Sequence, residues 1–196
     1  MKFRIAGIVI SAAVALTALV AVPGSARTPS HGNGLAHPQP YAGQHQRAIT
    51  SFSEEEVSGL REGRGLGFAK PAELNGYPGP LHVLELATEL GLSDEQRRAI
   101  EAIFARMKEE ARAAGVRYLE AESAVDAAFR SGDATPERIS ALVRQAEAAR
   151  AEVRLAHLKA HLATAPLLTA KQRHRYAELR GYSGSDSGHH RHHQRH

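Results

Sequence analysis

Two long runs of small and apolar residues, built on the same spacing and separated by only four residues, limit what this chain can fold into. In the first run Ile100, Phe104, Met107, Ala111, Ala114, Tyr118, Ala121 and Val125 alternate by four and three. In the second, Ile139, Leu142, Ala146, Ala149, Val153, Ala156 and Ala160 do the same. That alternation is the seam of a helix packed lengthwise on another, as in a coiled coil. It predicts helices over 93–130 and 135–165, the first roughly 55–60 Å long at about 1.5 Å per residue. Ser131-Gly132-Asp133-Ala134 is too short to do anything but reverse the chain, and Thr135-Pro136 supplies an N-cap followed by proline at the first helical position. Two long helices joined so tightly must be antiparallel neighbours. The expected fold is therefore all-α: a long antiparallel helical hairpin with short flanking helices.

Those flanks are a helix over 81–90 ending at Gly91 and another over 169–180 that follows Pro166 and closes at Gly181. Ahead of them, Ser53 with Glu56 three residues on predicts a short helix to about Glu62. Residues 63–80 carry Gly63, Gly65, Gly67, Pro71, Gly76, Pro78, Gly79 and Pro80 and read as a Gly/Pro-rich linker. Residues 27–50 have hardly any apolar side chains and read as a flexible leader. At the extreme N-terminus Lys2 and Arg4 precede an uncharged apolar run over 5–22, and Pro23-Gly24-Ser25-Ala26 offers small residues for cleavage. That is the pattern of a secretory signal peptide over 1–26. An uncleaved anchor facing the periplasm is the alternative, since 18 apolar residues just span a bilayer. The expected domains are thus 1–26 signal, 27–80 leader with one short helix and linker, 81–182 helical domain, and 183–196 a disordered His-rich tail.

The chain has no cysteine, which excludes disulfides, thiol catalysis, lipid anchoring on cysteine and zinc-thiolate sites. Its 25 basic and 21 acidic residues give a formal charge of +4, which becomes +2 when Lys2 and Arg4 leave with the signal. Acids interleave with bases along the long helices, and export removes the chain from nucleic acid, so nucleic acid is not an expected partner. No Ser-His-Asp order, phosphate loop or His-Glu-x-x-His motif is present, and the chain is not expected to be an enzyme.

Two helices start with the same chemistry. Leu92-Ser93-Asp94-Glu95-Gln96 and Leu168-Thr169-Ala170-Lys171-Gln172 each place a hydroxyl at the N-cap and a glutamine three residues on, a reciprocal capping box at the same open end of the hairpin. On Leu92, Ser93, Gln96, Leu168, Thr169 and Gln172, together with the order of helices and the export signal, residues 81–182 resemble the Spy/CpxP family of periplasmic Leu-Thr-x-x-Gln proteins. Its metal-responsive relatives include ZraP-type zinc-binding proteins and CnrX-type sensors. Leu168 to Gln172 matches the motif in full; Leu92 to Gln96 has Ser for Thr, which keeps the cap. The resemblance implies a periplasmic hairpin that dimerises into a cradle and binds unfolded or stressed envelope proteins without ATP. In some relatives it also implies a link to a membrane signalling partner, or a role as a heavy-metal sensor. Leu155, Leu158 and Leu162 form a second apolar stripe beside the seam, expected to hold client chains or the second copy.

No cofactor is required, but imidazoles raise a divalent transition metal (zinc, copper, nickel or cobalt) as an alternative activity. His157 and His161, at i and i+4, lie on one face and can chelate one ion; His82 and Glu85 share a stripe with Glu89 on the preceding short helix. With residue 129 opposite about 137 across the turn, His157 and His161 fall opposite about 109 and 105, and His82 comes to nearly the same level. Two histidines packed at a helix interface fit the spacing equally well. The tail adds His189, His190, His192, His193 and His196, five imidazoles in eight residues with weak affinity for the same ions.

Overall fold

The computed structural model describes residues 39–182. The signal peptide, the first part of the leader and the His-rich tail lie outside the described residues. Among those described there is no strand; the elements are α1 (Glu54–Glu62), α2 (Lys70–Glu73), α3 (Pro80–Glu85), α4 (Asp94–Arg130), α5 (Pro136–Thr164) and α6 (Ala170–Leu179), with 3-10 turns at Gln44–Gln46 and Ala165–Leu167. No helix among the described residues is long and apolar enough to cross a membrane.

The hairpin forms as its periodicity requires. α4 and α5, 37 and 29 residues long, are capped by Ser93 and Thr135. Ile100, Met107, Ala111, Ala114, Tyr118 and Ala121 of α4 and Ala146, Ala149, Val153, Ala156 and Ala160 of α5 are buried. Alanines dominate these positions because two helices packed along most of their length need small side chains to let the backbones approach. α3 is shorter than expected: it ends at Glu85 rather than near residue 90, and the chain continues in turns to Gly91 at φ 59°. Ala87 and Leu90 are both buried there, and Glu89 is not on a helix with His82.

The short helix expected from Ser53 forms as α1 with the Ser53–Glu56 capping box; a larger difference concerns the rest of residues 47–80, which the sequence suggested to be leader and linker. They form an ordered arm packed along the hairpin. Ile49 and Leu60 join Ala114, Tyr118, Leu119, Ala121, Ala146, Ala149 and Val153 in one core, with Phe52, Val57 and Phe68 packed against it. Phe52 meets Tyr118 edge to face at 5.2 Å between centroids, a favoured aromatic geometry. Polar straps reinforce it: the Thr50 N–H and hydroxyl both donate to the Asp126 carboxylate, Ser51 Oγ donates to Glu122 at 3.1 Å, and Arg130 donates to the Arg47 carbonyl at 3.1 Å.

Gly63 of the arm and Gly115 of α4 serve close approach. Gly63, at φ 68°, caps α1, and a Cβ there would lie 2.8 Å from the Lys108 carbonyl oxygen. From the other side, a Cβ on Gly115 of α4 would lie 2.2 Å from the Leu60 carbonyl oxygen. Composition suggested flexibility in 63–80; at Gly63 the contact requires glycine because backbone meets backbone.

Candidate functional site

The open end of the hairpin is built from the paired motif. Ser93 and Thr169 accept the backbone N–H groups of Gln96 and Gln172 at 3.1 and 3.2 Å. In return the glutamine Oε1 atoms accept the Ser93 and Thr169 N–H groups at 3.0 and 2.9 Å. The two amides then bond each other: Gln96 Nε2 donates to Gln172 Oε1 at 2.9 Å, and Gln172 Nε2 donates to Gln96 Oε1 at 3.1 Å. Gln96 Nε2 also donates to the Leu167 carbonyl at 2.7 Å. Leu168 is buried, and Leu92 packs against the same core of Val83, Leu90, Ile100 and Tyr176.

The residues of the motif therefore divide the work. The leucine enters the core, the hydroxyl caps, and the glutamine caps while tying two helix N-termini together. A carboxylate would cap equally well but has no N–H to give the opposite helix. α1 supplies the comparison. Its capping box uses Glu56, whose pKa is held below the usual carboxylate range by the backbone and side-chain hydrogen bonds from Ser53. That box ties nothing to a second cap.

The histidines fall into two situations. His82, His157 and His161 line one cavity of about 750 Å³ between the arm and the hairpin, together with Phe104, Met107 and Lys108 at the level the hairpin register suggested. Glu85 is instead more than half exposed, 2.9 Å from His82 Nδ1. His157 and His161 are buried, and the His161 Nδ1–H donates to the Tyr77 carbonyl at 2.7 Å. His157 is pushed below the usual imidazole range by burial and then by the neighbouring His161, against a backbone hydrogen bond with Arg64. Among the described residues no group of three His, Asp or Glu side chains is placed to hold a metal ion. Of the metal candidates in the tail, His189, His190, His192, His193 and His196, all lie outside the described residues.

The sequence reading missed Glu73, a carboxylate from the segment taken as linker, with a side chain only 12% exposed. It accepts the Tyr176 hydroxyl and the Gly79 N–H, the latter at 3.2 Å, and lies 3.7 Å from both Arg180 Nε and His161 Nδ1. Burial, then the hydrogen bond to Glu73, pushes the Tyr176 phenol far up, so it acts as a donor. Four segments meet on this one carboxylate. Nothing in the periodicity of residues 63–80 distinguishes Glu73 from a solvated acid.

The outward stripe lies where the projection put it. Leu155 and Leu162 are 48% and 59% exposed, and Leu158 is half-buried. Beside Leu155 a shallow groove of about 310 Å³ is lined by Ala113, Arg117, Glu152, Ala156 and Lys159. An apolar ridge edged by charges is a form of surface that marks an interaction site.

No curated protein and no solved structure matches the chain. A family model does, the LTXXQ motif family protein model, over residues 81–180, just over half of the 196 residues. The match takes in both capping boxes and the whole hairpin and leaves the arm outside. On this match and the glutamine pair that joins its two motifs, the chain belongs to the LTXXQ motif family, the non-enzymatic family of Spy/CpxP-type periplasmic proteins.

Proposed function

We propose that the protein is a periplasmic, ATP-independent holding chaperone or envelope-stress adaptor that acts as a homodimer. The observation that carries this reading is the exposure of Leu155 and Leu162 beside the charged Glu152, Arg154 and Lys159 of α5. Burying one such side chain is worth about 1.5–3 kcal/mol, so a stripe of three holds an unfolded segment weakly and releases it without a nucleotide. Arg117, Arg154 and Lys159 border the stripe, with Glu152 among them. Their charges favour encounter with unfolded chains and are weakened by salt.

Leu155→Asp and Leu162→Asp test this reading without disturbing the core, because both side chains already face water. Wild-type protein at equimolar ratio is expected to suppress light scattering by a reduced or heat-unfolded client in the absence of ATP. The double variant is expected to lose most of that suppression with its own melting temperature unchanged within about 2 °C, as surface substitutions are near neutral. Identical scattering curves for wild type and variant would reject the stripe as the holding surface.

A further inference from the structure

The arm is an addition to a hairpin that has a seam of its own. α4 and α5 bury that seam between them, and the family match covers residues 81–180 and leaves the arm out. The arm lies on a second apolar face of the hairpin, to which Tyr118, Leu119, Ala121, Ala146 and Val153 contribute. It reaches that face through Ile49, Phe52, Val57, Leu60 and Phe68, single apolar side chains spaced among polar ones. An unfolded segment of an ordinary protein has the same pattern, so the arm displays on this molecule the kind of chain that the face accepts.

The docked arm carries three identifiable costs. Gly65 lies against the ring of His157, which is only 3% exposed and whose Nε2 has no hydrogen-bond partner; a buried acceptor without a donor is unfavourable. Leu66 has φ 42°, the one positive value at a non-glycine among the described residues, a left-handed backbone that a branched side chain adopts under strain. Packing is also incomplete. A cavity of about 440 Å³ opens between Phe52, Leu60 and Phe68 of the arm and Tyr118, Arg150 and Arg154 of the hairpin, where a protein interior would be close-packed. Glu73 fastens the far end of the arm to Tyr176 and Arg180, which leaves the anchors from Ile49 to Phe68 to be exchanged.

We propose that the arm is an autoinhibitory strap: residues 47–68 occupy, as a built-in substitute, a second holding surface for unfolded polypeptide on the hairpin. A client segment with spaced aromatic and aliphatic side chains displaces them and takes over the contacts with Tyr118, Leu119 and Val153. This surface is separate from the Leu155 and Leu162 stripe, whose groove shares no lining residue with the cavity under the arm. Only the class of client is shared with the function proposed above.

The probe is a fluorescein-labelled peptide copying residues 47–68, titrated with the full chain and followed by anisotropy. Wild-type protein is expected to bind it weakly, because its own arm competes at high effective concentration. Leu60→Asp loosens the arm and leaves the hairpin face intact; it should bind the peptide at least tenfold more tightly, since apparent affinity follows the open fraction. The chain has no cysteine, so Thr50→Cys/Asp126→Cys can lock the arm where these two side chains already meet. The oxidised form should bind at least tenfold more weakly than the same protein reduced. An unfolded, carboxymethylated client should displace the peptide from Leu60→Asp. Adding Leu155→Asp and Leu162→Asp to Leu60→Asp should leave peptide binding unchanged, which separates this surface from the stripe. Leu60→Asp binding no tighter than wild type while its helical circular dichroism is retained, or equal binding by the oxidised and reduced forms, would overturn the proposal. So would a bound peptide that the client fails to displace, or peptide binding lost with the stripe.

Discussion

Gly115→Ala is expected to destabilise the protein, the reverse of what the same change does on an open helix surface. In the interior of a solvated helix, alanine in place of glycine gains about 1 kcal/mol. Here the added carbon would lie 2.2 Å from the Leu60 carbonyl oxygen, a group held in α1 and unable to rotate aside. Overpacking of this kind costs about 1–3 kcal/mol. The arm must back away from the hairpin, loosening Leu60, Ile49 and the packed Phe52, Val57 and Phe68. Gly115→Leu should go further and undock the arm, leaving residues 49–79 open to protease while the helical circular dichroism of the hairpin persists. Urea denaturation gives the sign: a raised midpoint for Gly115→Ala would mean that α1 does not lie on α4 at this point.

The second large effect is expected at Glu73. Glu73→Ala removes the acceptor of the Tyr176 hydroxyl and the Gly79 N–H and leaves Arg180 and His161 without their nearby negative charge. Removing one member of a buried charged network costs about 3–5 kcal/mol, and the slight solvent access here places the expectation at about 2–4 kcal/mol. Tyr176→Phe, which leaves Glu73 its other partners, should cost about 1 kcal/mol. The double variant should lose less than the sum, since the two share one hydrogen bond. A Glu73→Ala midpoint within error of wild type would contradict the buried network.

Both effects arise in the part of the molecule that the sequence described least well. The hairpin was legible because burial on one face of a long helix imposes a period that survives alanine-rich composition, and Ile100 to Val125 and Ile139 to Ala160 kept it. The capping boxes were legible because Ser93, Gln96, Thr169 and Gln172 act within one helical turn. The bond between Gln96 and Gln172 was not, since it joins residues 76 apart. The arm escaped for a different reason. It binds through single anchors, Ile49, Leu60, Phe68 and Glu73, which have no common period, and its glycines serve backbone contact as readily as flexibility. Gly115 and Leu119 of α4 face this arm; their burial marks a second apolar face that the hairpin seam alone does not explain. For His157 and His161, spacing could not separate a chelating pair from a packed one, because i and i+4 place both rings on one face either way. Both rings are buried, and the His161 Nδ1–H is taken by the Tyr77 carbonyl.

Site-specific photo-crosslinking to an unfolded client is the most direct measurement of whether the outward face of α5 does the holding. Photoreactive side chains at Leu155 and Leu162, both solvent-facing, are compared with one at Glu55 on the exposed surface of α1. Crosslinks at 155 and 162 that vanish when the client is native, with none at 55, are the expected result. Equal labelling at all three positions, or labelling at 55 alone, would contradict the assignment of client holding to this stripe.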